Sequence, residues 1–163
     1  NYHYKQKEDH YFLLDKTHEN IKLRRNTLLY KPQLHQSTIA IGFGPKINLE
    51  DKATYPPKMD YQVLQRVLHD AQNQAQHIQV TKESYLIKLK TKPHIKLELA
   101  RLKVYEKTYF SLCVEGKSLP LVEYIARVIV GNIPSCDYIT FLKKMSLEER
   151  ASGQDRLNIP RLL

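Results

Sequence analysis

NIKLRRNTLLYKPQL, residues 20–34, decides how this chain is read. Side chains two apart on a β-strand share a face, so Ile21, Leu23 and Arg25 separate from Lys22 and Arg24, which stand side by side. In the run that follows, Leu29 and Lys31 oppose Leu28 and Tyr30. Asn26 is a turn signal between the two runs and Pro32 an edge signal after them. Together they read as a meander with one apolar face and one face that carries cations.

The same split recurs downstream. Leu86, Lys88 and Lys90 oppose Tyr85, Ile87 and Leu89; Lys96 and Glu98 oppose Ile95, Leu97 and Leu99; Glu115 shares a face with Ser111 and Cys113. Strands are predicted at 11–14, 20–25, 28–34, 78–81, 85–90, 95–103 and 109–115, with another short one at 38–43 before Gly44 and Pro45. The rest of 35–58 reads as loop. Between the two meanders Val63, Leu64, Val67, Leu68, Ala71 and Ala75 recur at helical spacing, with Asp60 placed to cap the helix. Ser118 is placed to cap a second helix with Leu121, Val122, Ile125, Val128 and Ile129 facing inward, ended by Gly131. Ser135 opens a third with Tyr138, Phe141 and Leu142. Ser146 and Glu149 have capping-box spacing, but residues beyond 150 are poor in core side chains. The chain therefore divides into one domain at 1–145 and a loosely ordered tail at 146–163.

A chain of 163 residues, 42% of them apolar, suits one hydrophobic core. No apolar run approaches the length that crosses a bilayer. The opening Asn1, Tyr2, His3, Tyr4, Lys5 lacks the apolar core of a secretory signal, so a cytoplasmic location is expected. Cys113 and Cys136 form no CxxC pair, and both are expected to be reduced and buried. Lys and Arg number 26 against 17 Asp and Glu, a formal balance of +9. Acidic partners follow, with nucleic acid, anionic lipid and polyphosphate all open. The histidines show no spacing that sets two imidazoles on one helical face. Gly42 to Gly44 lacks the Lys and Ser/Thr ending of a phosphate loop. No Ser-His-Asp or Cys-His arrangement has the context of nucleophilic catalysis.

The charged faces admit two readings. They are the solvated outside of a sandwich, or they point inward. The opposite faces need covering, and three amphipathic helices are available to cover them. With helices outside, the cations line a barrel whose interior repels itself unless water, carboxylates or a multivalent anion fill it. A polyphosphate meets that requirement. The fold class expected is α+β, an antiparallel β-barrel with amphipathic helices packed outside.

The segments DHYFLL (9–14), IKLRR (21–25), LLYKPQL (28–34), KLELARL (96–102) and SLCVEG (111–116), in this order around a central helix, resemble the CYTH, or triphosphate tunnel, superfamily of triphosphatases and class IV adenylyl cyclases. The resemblance implies an eight-stranded tunnel. It implies phosphate-binding roles for Lys22, Arg24, Lys31 and Lys82, to which the alternation adds Lys88 and Lys90. It implies Glu98 and Glu115 as ligands of a divalent ion, Mg or Mn, which would bridge carboxylates and phosphate oxygens. The chain also departs from the family. The Glu-x-Glu-x-Lys signature is absent, Lys5, Gln6, Lys7, Glu8 being the nearest acidic stretch. Cys113 stands where the first acid of the final pair is expected, Ser84 where relatives place Arg, and no Arg-x-Glu occurs between 38 and 51.

The function expected is therefore binding of triphosphate or polyphosphate compounds inside a basic tunnel, with metal-dependent hydrolysis as a possible accompaniment. The alternative is a non-catalytic phosphate- or nucleic-acid-binding module that uses a basic surface. A cyclase ranks lower, because nothing in the sequence identifies an adenine pocket.

Overall fold

Register in the main sheet starts from a two-residue turn. Arg24 pairs with Thr27, and the intervening Arg25 and Asn26 have φ of 50° and 59°, the positive pair that a type I′ hairpin turn needs. This turn joins β2 (Asn20–Arg24) to β3 (Thr27–Lys31). The computed structural model describes residues 2–157. In it β1 (Tyr2–Leu13) precedes the hairpin, and β4 (Gln33–Gln36), β5 (Ile41–Phe43) and β6 (Ile47–Asn48) follow it. A 3₁₀ turn (Lys52–Thr54) leads to α1 (Tyr61–Asn73). Then come β7 (Gln76–Lys88), β8 (Ile95–Val104), β9 (Lys107–Gly116), α2 (Leu119–Val130) and α3 (Tyr138–Leu157).

Seven strands form an antiparallel sheet in the order β6-β3-β2-β1-β7-β8-β9, while β4 and β5 form a separate hairpin. The fold is α+β with a large antiparallel sheet, and among the described residues no ladder joins β6 to β9 to complete the expected barrel. The sheet is nonetheless strongly curled. Lying flat, five spacings of about 4.8 Å would hold β3 and β9 roughly 24 Å apart, yet Glu115 on β9 acts on the ionisation of Lys31 on β3. The side without a ladder is bridged by side chains, since Ser37 in the β4–β5 turn donates to Glu123 of α2 at 2.5 Å.

Two cores lie on opposite faces of this sheet. On the outer face Leu64, Val67 and Ala71 of α1 pack on Ile21, Leu28 and Tyr30. Asp60 caps α1 as expected, accepting from Gln62 N at 2.8 Å. On the inner face Ile139 and Leu142 of α3 pack on Tyr11, Leu13, Val80 and Leu102. The expectation that every helix packs outside is therefore corrected, because α3 seals one end of the concave side. The helix α2 buries none of its residues fully and packs beside β9 where Gly116 leaves room. A Cβ at Gly116 would stand 2.3 Å from Ile95 Cδ1 and 3.2 Å from Val122 Cγ2.

Several element boundaries differ from expectation. β1 runs through the polar stretch 2–10, and β7 is continuous where two runs were predicted. These strands pair along their whole lengths, from Tyr2↔Ile87 to Leu13↔Gln76. Such pairing overrides the weak strand propensity of Lys, Gln and Glu. Asp137, not Ser135, caps α3, accepting from Thr140 N at 2.9 Å. Residues 146–157, expected as tail, continue α3, and the remainder of that tail lies outside the described residues. Cys113 is half-buried and Cys136 exposed, both free, which corrects the expectation that both are buried.

Candidate anion-binding site

Alternation along β1 sends His3, Lys5, Lys7, Asp9, Tyr11 and Leu13 to the concave face. The ladders set Tyr11 beside Lys22, Lys7 beside Lys82, Leu86 beside Glu98, and Glu98 beside Cys113. Charged side chains from six strands thus share one curved surface.

One wall is organised by Asp9, which is 3% exposed. Its carboxylate accepts from Arg24 Nε and Nη2, each at 2.5 Å, and from Lys22 Nζ at 3.2 Å. The two-pronged guanidinium contact is the stronger kind of ion pair. Lys22 also lies 3.5 Å from the Tyr11 hydroxyl and above its ring. On the opposite wall Lys82 pairs with Glu98 and donates to the Tyr138 hydroxyl at 3.1 Å; that hydroxyl is 3.2 Å from Ser111 Oγ. Among the described residues Lys7 and Lys31 have no ion-pair partner, although Lys31 lies over the Phe43 ring. Lys7, Lys22, Arg24, Lys31 and Lys82 outnumber Asp9, Glu98 and Glu115, so the surface carries net positive charge.

Ionisation reflects this crowding. Burial, together with the charges of Arg24 and Lys31, pushes Lys22 down to about 8 despite its contact with Asp9. Burial also lowers Lys7 and Lys31, with Arg24 adding to the effect at both. Burial opposes ionisation of Asp9, but the hydrogen bond from Arg24 and the charge of Lys22 outweigh it and hold the carboxyl below its usual value. At Lys82 burial is likewise outweighed, by Tyr138 and Glu98, and the ammonium is held above its ordinary value. Burial and the nearby Glu115 push the Cys113 thiol up to about 12, so it is a neutral wall atom.

The concave face is graded from end to end. Beneath Asp9 it is apolar and sealed by α3. Above Lys7 it opens into a cavity of about 420 Å³ lined by His3, Tyr4, Lys5, Leu86, Lys88 and Lys96. Of the residues singled out from sequence, Lys22, Arg24, Lys31, Lys82, Glu98 and Glu115 are brought to the middle, and Lys88 lies at the mouth. Lys90 is exposed in the turn after β7. Sequence reasoning missed Lys7, Asp9 and Tyr138. The signal was present for the first two as Lys5-x-Lys7-x-Asp9-x-Tyr11, a two-residue alternation in a stretch too polar to be read as strand.

Glu98 and Glu115 fit a divalent ion poorly. They are diagonal neighbours on β8 and β9 with Cys113 between them, and Glu98 is engaged by Lys82. Among the described residues no group of three or more His, Cys, Asp or Glu gathers in a way that could hold a metal ion. A hard cation takes several oxygen donors, whereas this face offers mostly ammonium and guanidinium groups.

No family model matches the chain, and no curated protein matches it. Among solved structures it is similar to a candidate adenylate cyclase from Bacillus halodurans, at 15% identity, over 83% of this chain and 81% of that one, with a TM-score of 0.48.

Proposed function

We propose that this chain binds a compact polyphosphate, a triphosphate or longer phosphoanhydride or its ester, on the concave face of the curled sheet. The observation that supports it is the convergence of Lys7, Lys22, Arg24, Lys31 and Lys82 from β1, β2, β3 and β7 on one surface with too few carboxylates to neutralise them. A multivalent anion can answer cations on both walls at once, and a single phosphate cannot. Lys88 and Lys96 at the mouth would draw such an anion inward, and Arg24 offers a planar fork that suits phosphate oxygens. An incoming phosphate would compete with Asp9 for Lys22 and Arg24, so binding exchanges one anion for another.

The proposal is binding without a required metal, the cations supplying the neutralisation that a divalent ion would supply elsewhere. Hydrolysis would need a general base near its working pH. Arg24 and Lys22 hold the Asp9 carboxyl below its usual value, so it is not poised to take a proton, and Glu98 is engaged by Lys82.

Calorimetric titration in EDTA tests this reading. Tripolyphosphate should bind at least about tenfold more tightly than orthophosphate, since each added charge-assisted contact is worth about 1.5–3 kcal/mol. Lys7→Ala should weaken it. Equal affinity for the two anions overturns the reading. So does tight binding of long RNA that tripolyphosphate does not displace, which would return the function to a basic exterior.

A further inference from the structure

On the outer face of β1, β7, β8 and β9, away from the end where α2 meets Ile95 and Gly116, a row of apolar side chains is left exposed. Tyr4, Tyr85, Leu99 and Leu112 form a row across the four strands through successive ladder pairs. Tyr2 flanks it on one side and Phe110 on the other. These side chains are 40–75% exposed. Both Tyr2 and Tyr4 lie with ring centroids 5.4 Å from that of Tyr85, so the surface is continuous and ordered. The helix α1 covers the neighbouring strands β2 and β3 instead.

We propose that this face is a self-association surface on which a second copy of the chain packs, sheet against sheet, about a two-fold axis. The first argument is area. With each large aromatic offering on the order of 150–250 Å², the exposed parts of the apolar side chains come to roughly 700 Å². A stable interface takes about 800 Å² from each partner, and monomers rarely leave more than a few hundred Å² of contiguous apolar surface uncovered. The second argument is charge. The chain carries +9 overall, yet the charged side chains beside this row, Glu83 and Arg101, are paired with each other, Arg101 Nε lying 2.7 Å from Glu83. The face is locally neutral, so two copies of it meet without repulsion, and a polyanion finds nothing on it to bind. Aligned sheet packing brings together apolar faces of antiparallel sheets such as this one, and an isologous contact needs only one such patch per chain.

Sedimentation velocity on the full chain over about 1 to 100 μM, a range that brackets micromolar dissociation constants, tests the proposal. A dimer that dissociates on dilution is expected, and it should strengthen with salt as repulsion between the basic bodies is screened. Phe110→Lys should shift the dissociation constant upward at least about tenfold, equivalent to about 1.4 kcal/mol, with unchanged circular dichroism, because its side chain is 75% exposed and carries little of the fold. Leu99→Lys should do the same, while Phe110→Leu keeps the dimer. A monomer at every concentration overturns the proposal. So does a dimer unmoved by both Lys substitutions, or a monomer that binds neutral phosphatidylcholine vesicles through Phe110.

Discussion

The two faces of β1, β7 and β8 solve opposite problems. The concave face buries charge and matches much of it internally: Asp9 with Lys22 and Arg24, Glu98 with Lys82. The convex face holds Tyr4, Tyr85 and Leu99 in the open. Curvature explains the difference. A curled sheet brings the side chains of its inner face together, where charges must find partners or repel, and spreads those of its outer face apart, where apolar groups stay wet unless another body covers them. The inner surface is therefore the one sensitive to loss of a single charge, and the outer one is sensitive only to what docks on it.

The largest effect should come from Asp9→Ala, which strands two cations on the concave wall. Removing one partner of a buried ion pair costs about 3–5 kcal/mol, measurable by urea denaturation, and tripolyphosphate should restore part of the loss. A cost below about 1 kcal/mol would mean that the concave charges are solvated after all, and the contrast between the faces would fail.

Arg24→Ala should weaken tripolyphosphate binding by about 10- to 100-fold, the worth of one or two charge-assisted contacts. Phe110→Lys, on the other face, should leave that affinity unchanged. Equal losses in both variants would break the separation of the two surfaces.

Raising the pH from 7 to 9 should weaken anion binding by at most about tenfold per unit as Lys22, pushed down to about 8, loses its proton. Binding at pH 8.5 should take up a fraction of a proton, seen as a dependence of the heat on the buffer. In the free protein the linkage has the opposite sign. The unfolded chain holds the Lys22 proton up to its ordinary value of 10.5 while the folded one releases it earlier. The folded state therefore gains stability from this group as pH rises from about 8 toward 10.5. Lys22→Met should flatten both profiles.

The smallest effect concerns Ser84, fully buried between Lys5 and Ala100 with no hydrogen-bond partner for its hydroxyl. Removing an unsatisfied hydroxyl should be neutral or stabilising by up to about 1 kcal/mol in Ser84→Ala. If the same change also weakens tripolyphosphate binding, Ser84 belongs to the anion site and not merely to its floor.

Much of the candidate site was legible in the chain. The placement of Lys22 and Arg24 on the face opposite Ile21 and Leu23 follows from period two alone, and the Arg25-Asn26 turn holds that register in the structure. Asp60, Ser118 and Gly131 mark their helix ends as capping chemistry requires. Lys7 and Asp9 were hidden because their stretch is as polar as a loop and becomes strand only by pairing with β7. Tyr138 was hidden because its contact with Lys82 spans 56 residues and depends on α3 entering the concave side.

Sequence alone determined which side chains share a strand face, since that depends only on the alternation of the backbone. Tertiary structure decided which face became the inside, that among the described residues no ladder joins β6 to β9, and that α3 rather than solvent closed the lower end of the sheet. Those outcomes depend on curvature and on contacts between residues far apart in the chain, where many weak apolar contacts compete and no local pattern records which of them prevails.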